Sequence, residues 1–223
     1  LSTGDEVVPV DAVPAPGQIR DVNSAALAAF IHAAGGLPQA YGIVPDDYAA
    51  LLETCRRALA ANDMVLISGG SSVGTRDFTI DVLQALDDAD IMVHGVSIRP
   101  GKPTILARAG TKPVWGLPGH VTSAMVVFAV LVRPFLERLG GLDPKFRRRF
   151  HVPARLTRNL PSVQGRVDYV RVRLVATAAG LEANPVLGKS GLIRTMAAAD
   201  GLLCIDENAE GLDGGMVVPV ELI

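Results

Sequence analysis

Asp63-Met64-Val65-Leu66-Ile67-Ser68-Gly69-Gly70-Ser71-Ser72-Val73-Gly74-Thr75-Arg76-Asp77 is the stretch whose reading decides the fold. Asp63 to Ile67 has the length and texture of a short strand buried on both faces. Ser68-Gly69-Gly70 breaks the run, and Asp77 opens a helical pattern that carries Ile80, Leu83 and Leu86 on one side. Strand, glycine-rich turn and helix together form the unit of a parallel sheet with helices packed on it. The turn also has chemical meaning. Glycines at a strand's end let the backbone turn sharply and present successive N–H groups, and a helix N-terminus adds more. Ser68, Gly69, Gly70, Ser71, Ser72 and Gly74 therefore read as a cradle for a phosphate, with Thr75 as a further hydroxyl. A glycine-rich turn capped by Asp77 accounts for the same residues equally well. No Gly-Lys-Ser/Thr closes the loop, so it is not a P-loop, and its spacing is not Gly-x-Gly-x-x-Gly.

The same alternation extends outward in both directions. Upstream, Leu1 to Glu6 reads as the end of a buried strand, followed by a loop with Pro9, Pro14, Pro16 and Gly17. The spacing predicts a helix over Asn23 to Ala34, capped by Asp21 or Asn23, with Leu27, Phe30 and Ile31 on one face. Gly35-Gly36 ends it. Leu37 to Val44 reads as a weak strand. Pro45-Asp46-Asp47 then starts a second helix, which turns Leu51, Leu52, Cys55 and Leu59 inward. Downstream, Ile91 to Ile98, Thr104 to Ala107 and Val114 to Leu117 read as strands, and Val121 to Leu139 as a long helix. The fold class is α/β, a three-layer α/β/α arrangement around a mostly parallel sheet. Such sheets hold ligands beyond the carboxyl ends of their strands, so the loops after Thr3, Val44, Ile67, Ile98 and Leu117 are the places to search. Past Gly141 the texture changes. His151 to Leu156, Val167 to Val175, Leu202 to Ile205 and Met216 to Leu222 have strand character, and Ile193 to Ala199 alone looks helical. Residues 1–143 are expected to form the α/β domain and residues 144–223 a small β-rich domain.

Composition narrows the function. Across 223 residues, 21 Lys and Arg nearly balance 23 Asp and Glu, for a net charge of -2, which argues against a nucleic-acid coat or a basic membrane-surface protein. The longest apolar run, Ala124 to Val132, is far short of the roughly 20 residues a membrane helix needs. Two cysteines without metal-ligand spacing imply no disulfide framework, and a reducing cytoplasm is expected. The chain opens at Leu1 without Met and is expected to be the latter part of a longer protein.

Three further loops carry chemistry. Asp5 and Glu6, Asp46 and Asp47, and Asp77 all fall at expected carboxyl-end loops. Acids beside a phosphate repel it unless a cation intervenes, and Mg²⁺ held by one or two carboxylates plus phosphate oxygens resolves that conflict. Taken singly, Asp46 and Asp47 are ordinary helix starters and Glu6 a solvated acid. Arg99-Pro100-Gly101-Lys102-Pro103 is a stiff turn with two cations, suited to an oxyanion or, equally, to a solvated surface. Gly116-Leu117-Pro118-Gly119-His120-Val121 is another strand-to-helix junction with free N–H groups. His120 reads as structural before catalytic, and there is no Ser-His-Asp order or His-Glu-x-x-His pattern. Gly188-Lys189-Ser190-Gly191 is a polar turn, and Lys145 to Arg149 a basic linker.

In this order, the segments resemble the molybdenum insertase family, MoeA and the E domain of gephyrin. The resemblance runs through Ser2-Thr3-Gly4-Asp5-Glu6, Pro45-Asp46-Asp47, Ser68 to Asp77, Pro100-Gly101-Lys102-Pro103 and Leu117-Pro118-Gly119, and it covers the whole chain. Two positions depart from the family pattern: His120-Val121 stands where Asn-Pro is usual, and Arg99 where Lys is usual. The resemblance implies the two C-terminal domains of a molybdopterin molybdenumtransferase, without the family's two N-terminal domains. The implied reaction takes molybdate and adenylated molybdopterin, hydrolyses the phosphoanhydride, releases AMP and leaves molybdenum on the pterin dithiolene. Asp47, Asp77 and Glu6 would be catalytic, with Asp46, Asp47 and Asp77 placing Mg²⁺. Ser68, Gly69, Gly70, Ser71, Ser72, Gly74, Arg99, Gly101, Lys102, Pro118, Gly119 and Ser190 would bind substrate. Also implied are a homodimer, a molybdopterin adenylyltransferase as partner, and no nucleic-acid or membrane partner. Two alternatives are weighed against it: a MogA-type adenylyltransferase, which resembles the α/β domain alone, and a non-catalytic pterin- or nucleotide-binding module of a larger protein.

Overall fold

Residues 1–69 and 78–223 are described in a computed structural model. The expected site residues Gly70, Ser71, Ser72, Gly74 and Asp77 lie outside the described residues. The chain divides into two compact units, Leu1–Val96 with Gly101–Gly140, and Ser97–Pro100 with Gly141–Ile223.

In chain order the first unit begins with β1 (Ser2–Thr3), a small parallel ribbon of β2 (Val7–Val8) and β3 (Ile19–Arg20), and α1 (Val22–Ala33). There follow β4 (Ile43–Val44), α2 (Tyr48–Ala61), β5 (Val65–Ser68), α3 (Phe78–Gln84) and β6 (Ala89–His94). Strand β7 (Ile98–Arg99) belongs to the second unit. The chain then returns with β8 (Ile105–Ala109), β9 (Lys112–Leu117), α4 (Val121–Val127), a π-helical stretch Phe128–Val132, and α5 (Arg133–Leu139).

The sheet order is β4-β1-β5-β9-β8-β6. The pairings from β4 to β9 are parallel and the last two antiparallel. That change of sense follows from the tight β8–β9 hairpin at Gly110 and Thr111, which leaves no room for a crossover helix. Buried residues occupy consecutive positions along β9 from Pro113 to Leu117, so both of its faces are covered by helices. On one side α2 and α3 pack Leu51, Cys55, Ala58, Val82, Leu83 and Leu86 against Val65, Ile67, Ile105 and Val114. The second helical layer is α1 with α4 and the π-helical stretch that continues it, which together bury Leu27, Val121, Ala124, Val126 and Phe128.

Three expectations are corrected within this unit. The strand expected over Leu37 to Val44 pairs only at Ile43–Val44, and Leu37 is 91% exposed. The strand expected over Ile91 to Ile98 is two strands, because Gly95 takes φ +82 and breaks the extended run after His94. The helix expected over Val121 to Leu139 is continuous but carries the π stretch at its middle.

The second unit contains β10 (His151–Leu156), β11 (Leu160–Pro161), β12 (Val167–Thr177), β13 (Gly180–Pro185), α6 (Arg194–Ala197), β14 (Gly201–Ile205), β15 (Gly211–Leu212) and β16 (Val217–Leu222). Its sheet runs β13-β10-β16-β14-β12-β7, and β12 also pairs with β13. Those pairings close β13, β10, β16, β14 and β12 into a ring, a small barrel without a free edge inside it. Ala154, Leu156, Val172, Ala183, Leu203, Ile205, Val218 and Val220 fill the interior. β7 adds to the start of β12 through Ile98 opposite Val167 and Arg99 opposite Asp168. Among the described residues no helix is long and apolar enough to cross a membrane.

Candidate active site at the carboxyl rim

Strand register brings the first unit's loops together. Thr3 lies opposite Val44, Ser2 opposite Ser68, and Ser68 opposite Leu117. The carboxyl ends of β4, β1, β5 and β9 therefore share one rim. His94 pairs with Ile105 and Ile105 with Gly116, so the end of β6 and the start of β8 reach the same rim. The connection between them holds Gly101 and Lys102. It is tied by Val96 N–H to the Lys102 carbonyl (2.9 Å) and by the Thr104 hydroxyl to the Gly101 carbonyl (2.6 Å). Gly101 is buried and Lys102 exposed.

The acids occupy the first two loops. Thr3 Oγ1 donates to Asp46 Oδ1 at 2.8 Å, and the Asp46 N–H donates to Asp5 Oδ1 at 3.1 Å. This bond chain ties the loop after β1 to the loop after β4. Asp47 is the N-cap of α2, its Oδ1 accepting from the Ala50 N–H at 2.8 Å. The Glu6 carboxylate folds back over Gly4, so that a Cβ built on Gly4 would meet it at 2.7 Å. Asp5, Glu6, Asp46 and Asp47 are all exposed.

Gly69 begins the loop after β5. Its N–H donates to the Leu117 carbonyl at 3.3 Å, and its φ is +107. Gly119 packs on it; a Cβ on Gly119 would sit 3.5 Å from the Gly69 Cα. Pro118 is buried and Gly119 exposed, and His120 is the N-cap residue of α4 without a side-chain capping bond.

Asn23, read from sequence only as a helix cap, has a second role at the rim. The cap is Asp21, whose carboxylate accepts from Ser24 N and from the hydroxyls of Ser24 and Ser2. Asn23 Nδ2 instead donates to Ser68 Oγ at 2.5 Å and to the Gly119 carbonyl at 2.8 Å. A signal was available: Asn23 precedes Leu27 by four residues, which puts an amide on the face assigned to the core.

Arg99 and Ser190 lie in the second unit. The sequence pattern places Arg99 in a loop after a strand of the first sheet; in the structure it is on β7, opposite Asp168. Arg99 Nη1 stands 3.7 Å from the buried Asp168 carboxylate, which also takes Arg166 Nε at 2.8 Å. Ser190 sits in the turn after β13, near Gly188, whose carbonyl accepts from Arg171 Nη2 at 3.3 Å. Burial pushes the Arg171 pKa down.

Among the described residues no group of three or more His, Cys, Asp or Glu is arranged to hold a metal. What the rim offers is a set of hard carboxylate oxygens in two adjoining loops. That suits Mg²⁺, which keeps several waters and takes one or two carboxylates plus phosphate oxygens.

A family profile described as the probable molybdopterin binding domain matches residues 1–138, and one described as the MoeA C-terminal region (domain IV) matches residues 153–223. The chain belongs to the MoeA family. This MoeA-family chain is 35% identical to a putative molybdopterin biosynthesis protein of Methanocaldococcus jannaschii, across 100% of the chain and 54% of that protein. It is 44% identical to a molybdopterin molybdenumtransferase of Nostoc over 145 residues, 64% of the chain and 33% of that protein. A crystal structure of the molybdopterin biosynthesis MoeA protein of Pyrococcus horikoshii matches with a TM-score of 0.84 at 38% identity, covering 99% of this chain and 52% of that one. The chain thus spans about half the length of the M. jannaschii and P. horikoshii relatives.

Proposed function

We propose that this chain carries the catalytic rim of a molybdopterin molybdenumtransferase, which inserts molybdate into adenylated molybdopterin and releases AMP in a Mg²⁺-dependent reaction. One observation carries the reading: a single rim in a MoeA-family chain holds four acids, the glycine turns at Gly69 and Gly119, and Lys102. A pterin diphosphate needs that combination. The phosphate end takes amide donors and a lysine, while the acids recruit the cation that lets them tolerate an anion.

In this reading the turns after β5 and β9 hold the pterin phosphate, with Ser68, Gly69, Gly70, Ser71, Ser72, Gly74, Pro118 and Gly119 as the binding set. Asp46, Asp47 and Asp77 would hold Mg²⁺, with Glu6 beside them. When bound, Mg²⁺ neutralises charge that builds on the phosphate oxygens as the anhydride breaks. Lys102, with the amide of Gly101, steadies the anionic oxygens, and Arg99 and Ser190 are assigned oxyanion contacts on the second unit. The protein acts as a homodimer in the cytoplasm and receives its substrate from a molybdopterin adenylyltransferase. The match of residues 153–223 to the MoeA C-terminal region favours insertion over adenylation.

Substituting Asp77→Asn in the complete protein tests the reading. AMP release is expected to be abolished with the fold retained, and unchanged turnover would refute the metal role. Adenylation of molybdopterin from ATP by the wild type would assign the adenylyltransferase reaction instead. Tight pterin binding without AMP release would make the chain a binding module.

A further inference from the structure

We infer that Asn23 is a positioning residue that sets the spacing of the two substrate-holding turns; the inference rests on the function proposed above. The side chain is 9% exposed and comes from α1, an element that contributes none of the expected binding residues. Its one amide nitrogen bridges two separate loop ends, with Ser68 Oγ at 2.5 Å where β5 ends and the Gly119 carbonyl at 2.8 Å where β9 turns into α4. A carbonyl oxygen only accepts, so the nitrogen must face Gly119, and the orientation of the amide is fixed by chemistry.

The two turns are also in direct contact, because an added Cβ on Gly119 would lie only 3.5 Å from Gly69 Cα. Backbone packing limits how close they come, the Gly69 N–H bond to the Leu117 carbonyl holds the strand ends together, and the Asn23 bridge extends that tie to Gly119. Ser68 accepts from Asn23, which leaves the serine's own proton for another acceptor. Asn23 Oδ1 is buried without a partner among the described residues. Leaving a buried acceptor unpaired costs about 1–3 kcal/mol.

The test compares Asn23→Ala and Asn23→Asp with Leu27→Ala in the complete protein. Asn23→Asp is nearly isosteric and preserves packing where Ala leaves a hole, but it replaces the donor with an acceptor. Leu27→Ala truncates a buried side chain of the same helix that has no polar atom to bond either turn. Molybdopterin affinity is measured by equilibrium dialysis, AMP release gives KM and kcat, and thermal unfolding gives Tm. Both Asn23 variants are expected to raise Kd and KM about tenfold, near the loss of one good hydrogen bond in each turn, with kcat within about threefold. Leu27→Ala is expected to lower Tm and leave Kd unchanged. Wild-type affinity in both Asn23 variants would overturn the inference alone. So would wild-type affinity in Asn23→Asp with loss in Asn23→Ala, which would move the role from the donor to the acceptor. An equal rise of Kd in Leu27→Ala would reduce Asn23 to a stability residue and overturn it as well. A wild type that binds no molybdopterin overturns the functional reading and this inference with it.

Discussion

A Cβ placed on Gly69 would stand 2.2 Å from the carbonyl oxygen of Thr3. The chain leaving β5 passes so close to the end of β1 that only a hydrogen fits between them. The φ of +107 at Gly69 disfavours any side chain independently. Gly69→Ala should therefore cost more than about 2 kcal/mol, since backbone must move on both strands. Gly35 offers the comparison: its φ is +84, but nothing lies within 4 Å of its added Cβ. Gly35→Ala should cost only about 1 kcal/mol of backbone strain. Chemical denaturation of the two variants checks the difference, and equal losses would mean that the approach to Thr3 is not what demands glycine.

Asp47 has a capping role visible in the structure and a proposed role with Mg²⁺, and two substitutions separate them. Asp47→Ala removes the bond to the Ala50 N–H and should cost about 1 kcal/mol. Asp47→Asn keeps an oxygen for that bond and removes the charge. It should leave Tm close to wild type while AMP release requires more Mg²⁺. A normal Mg²⁺ titration for Asp47→Asn would leave Asp47 as a cap alone.

Much of the rim was legible because helix starts and glycine turns announce themselves locally. Pro45-Asp46-Asp47 ahead of an apolar face, and Ser68-Gly69 after an apolar run, are signals within a few residues of their cause. What escaped was pairing at long range. β13 shows no alternation in Gly180–Pro185, because only Ala183 turns fully into the barrel. In sequence Arg99 belongs to the same turn as Lys102, yet a two-residue strand binds it to Asp168, 69 positions later. No local pattern marks such a partner. Asn23 escaped for the opposite reason, since its position at a helix start fully explained it as a cap.

Asp168 and Arg99 should respond very differently to removal. The Asp168 side chain is nearly buried and faces two guanidinium groups. Asp168→Ala strands the partly covered Arg166 and should cost about 2–4 kcal/mol. Arg99 is 65% exposed and its ion pair is long, so Arg99→Ala should cost less than about 1 kcal/mol. Thermal unfolding checks both. If Arg99→Ala keeps its Tm and loses molybdate-dependent AMP release, the oxyanion role proposed for it stands.

Cys55 makes stability depend on alkaline pH. Its thiol is fully enclosed, and burial pushes its pKa from an ordinary 9.0 up to about 11. The unfolded chain ionises first, so the contribution of this thiol is complete below pH 9 and is lost as pH rises toward 11. Urea midpoints for the wild type should fall across that interval. Cys55→Ala, less stable at neutral pH because of the cavity, should fall less steeply. Parallel curves would place the alkaline sensitivity elsewhere.

The four residues Ser97–Pro100 carry a consequence for how such a protein can be inherited. They lend β7 to the barrel from the middle of the α/β segment, and Val167 N–H bonds back to the Ser97 carbonyl at 2.9 Å. A recombination breakpoint near residue 141 would transplant β12 with its first two residues, Val167 and Asp168, unpaired on the side that β7 covers. The two compact units are thus not two contiguous stretches of sequence, and a single cut in the gene cannot separate them cleanly.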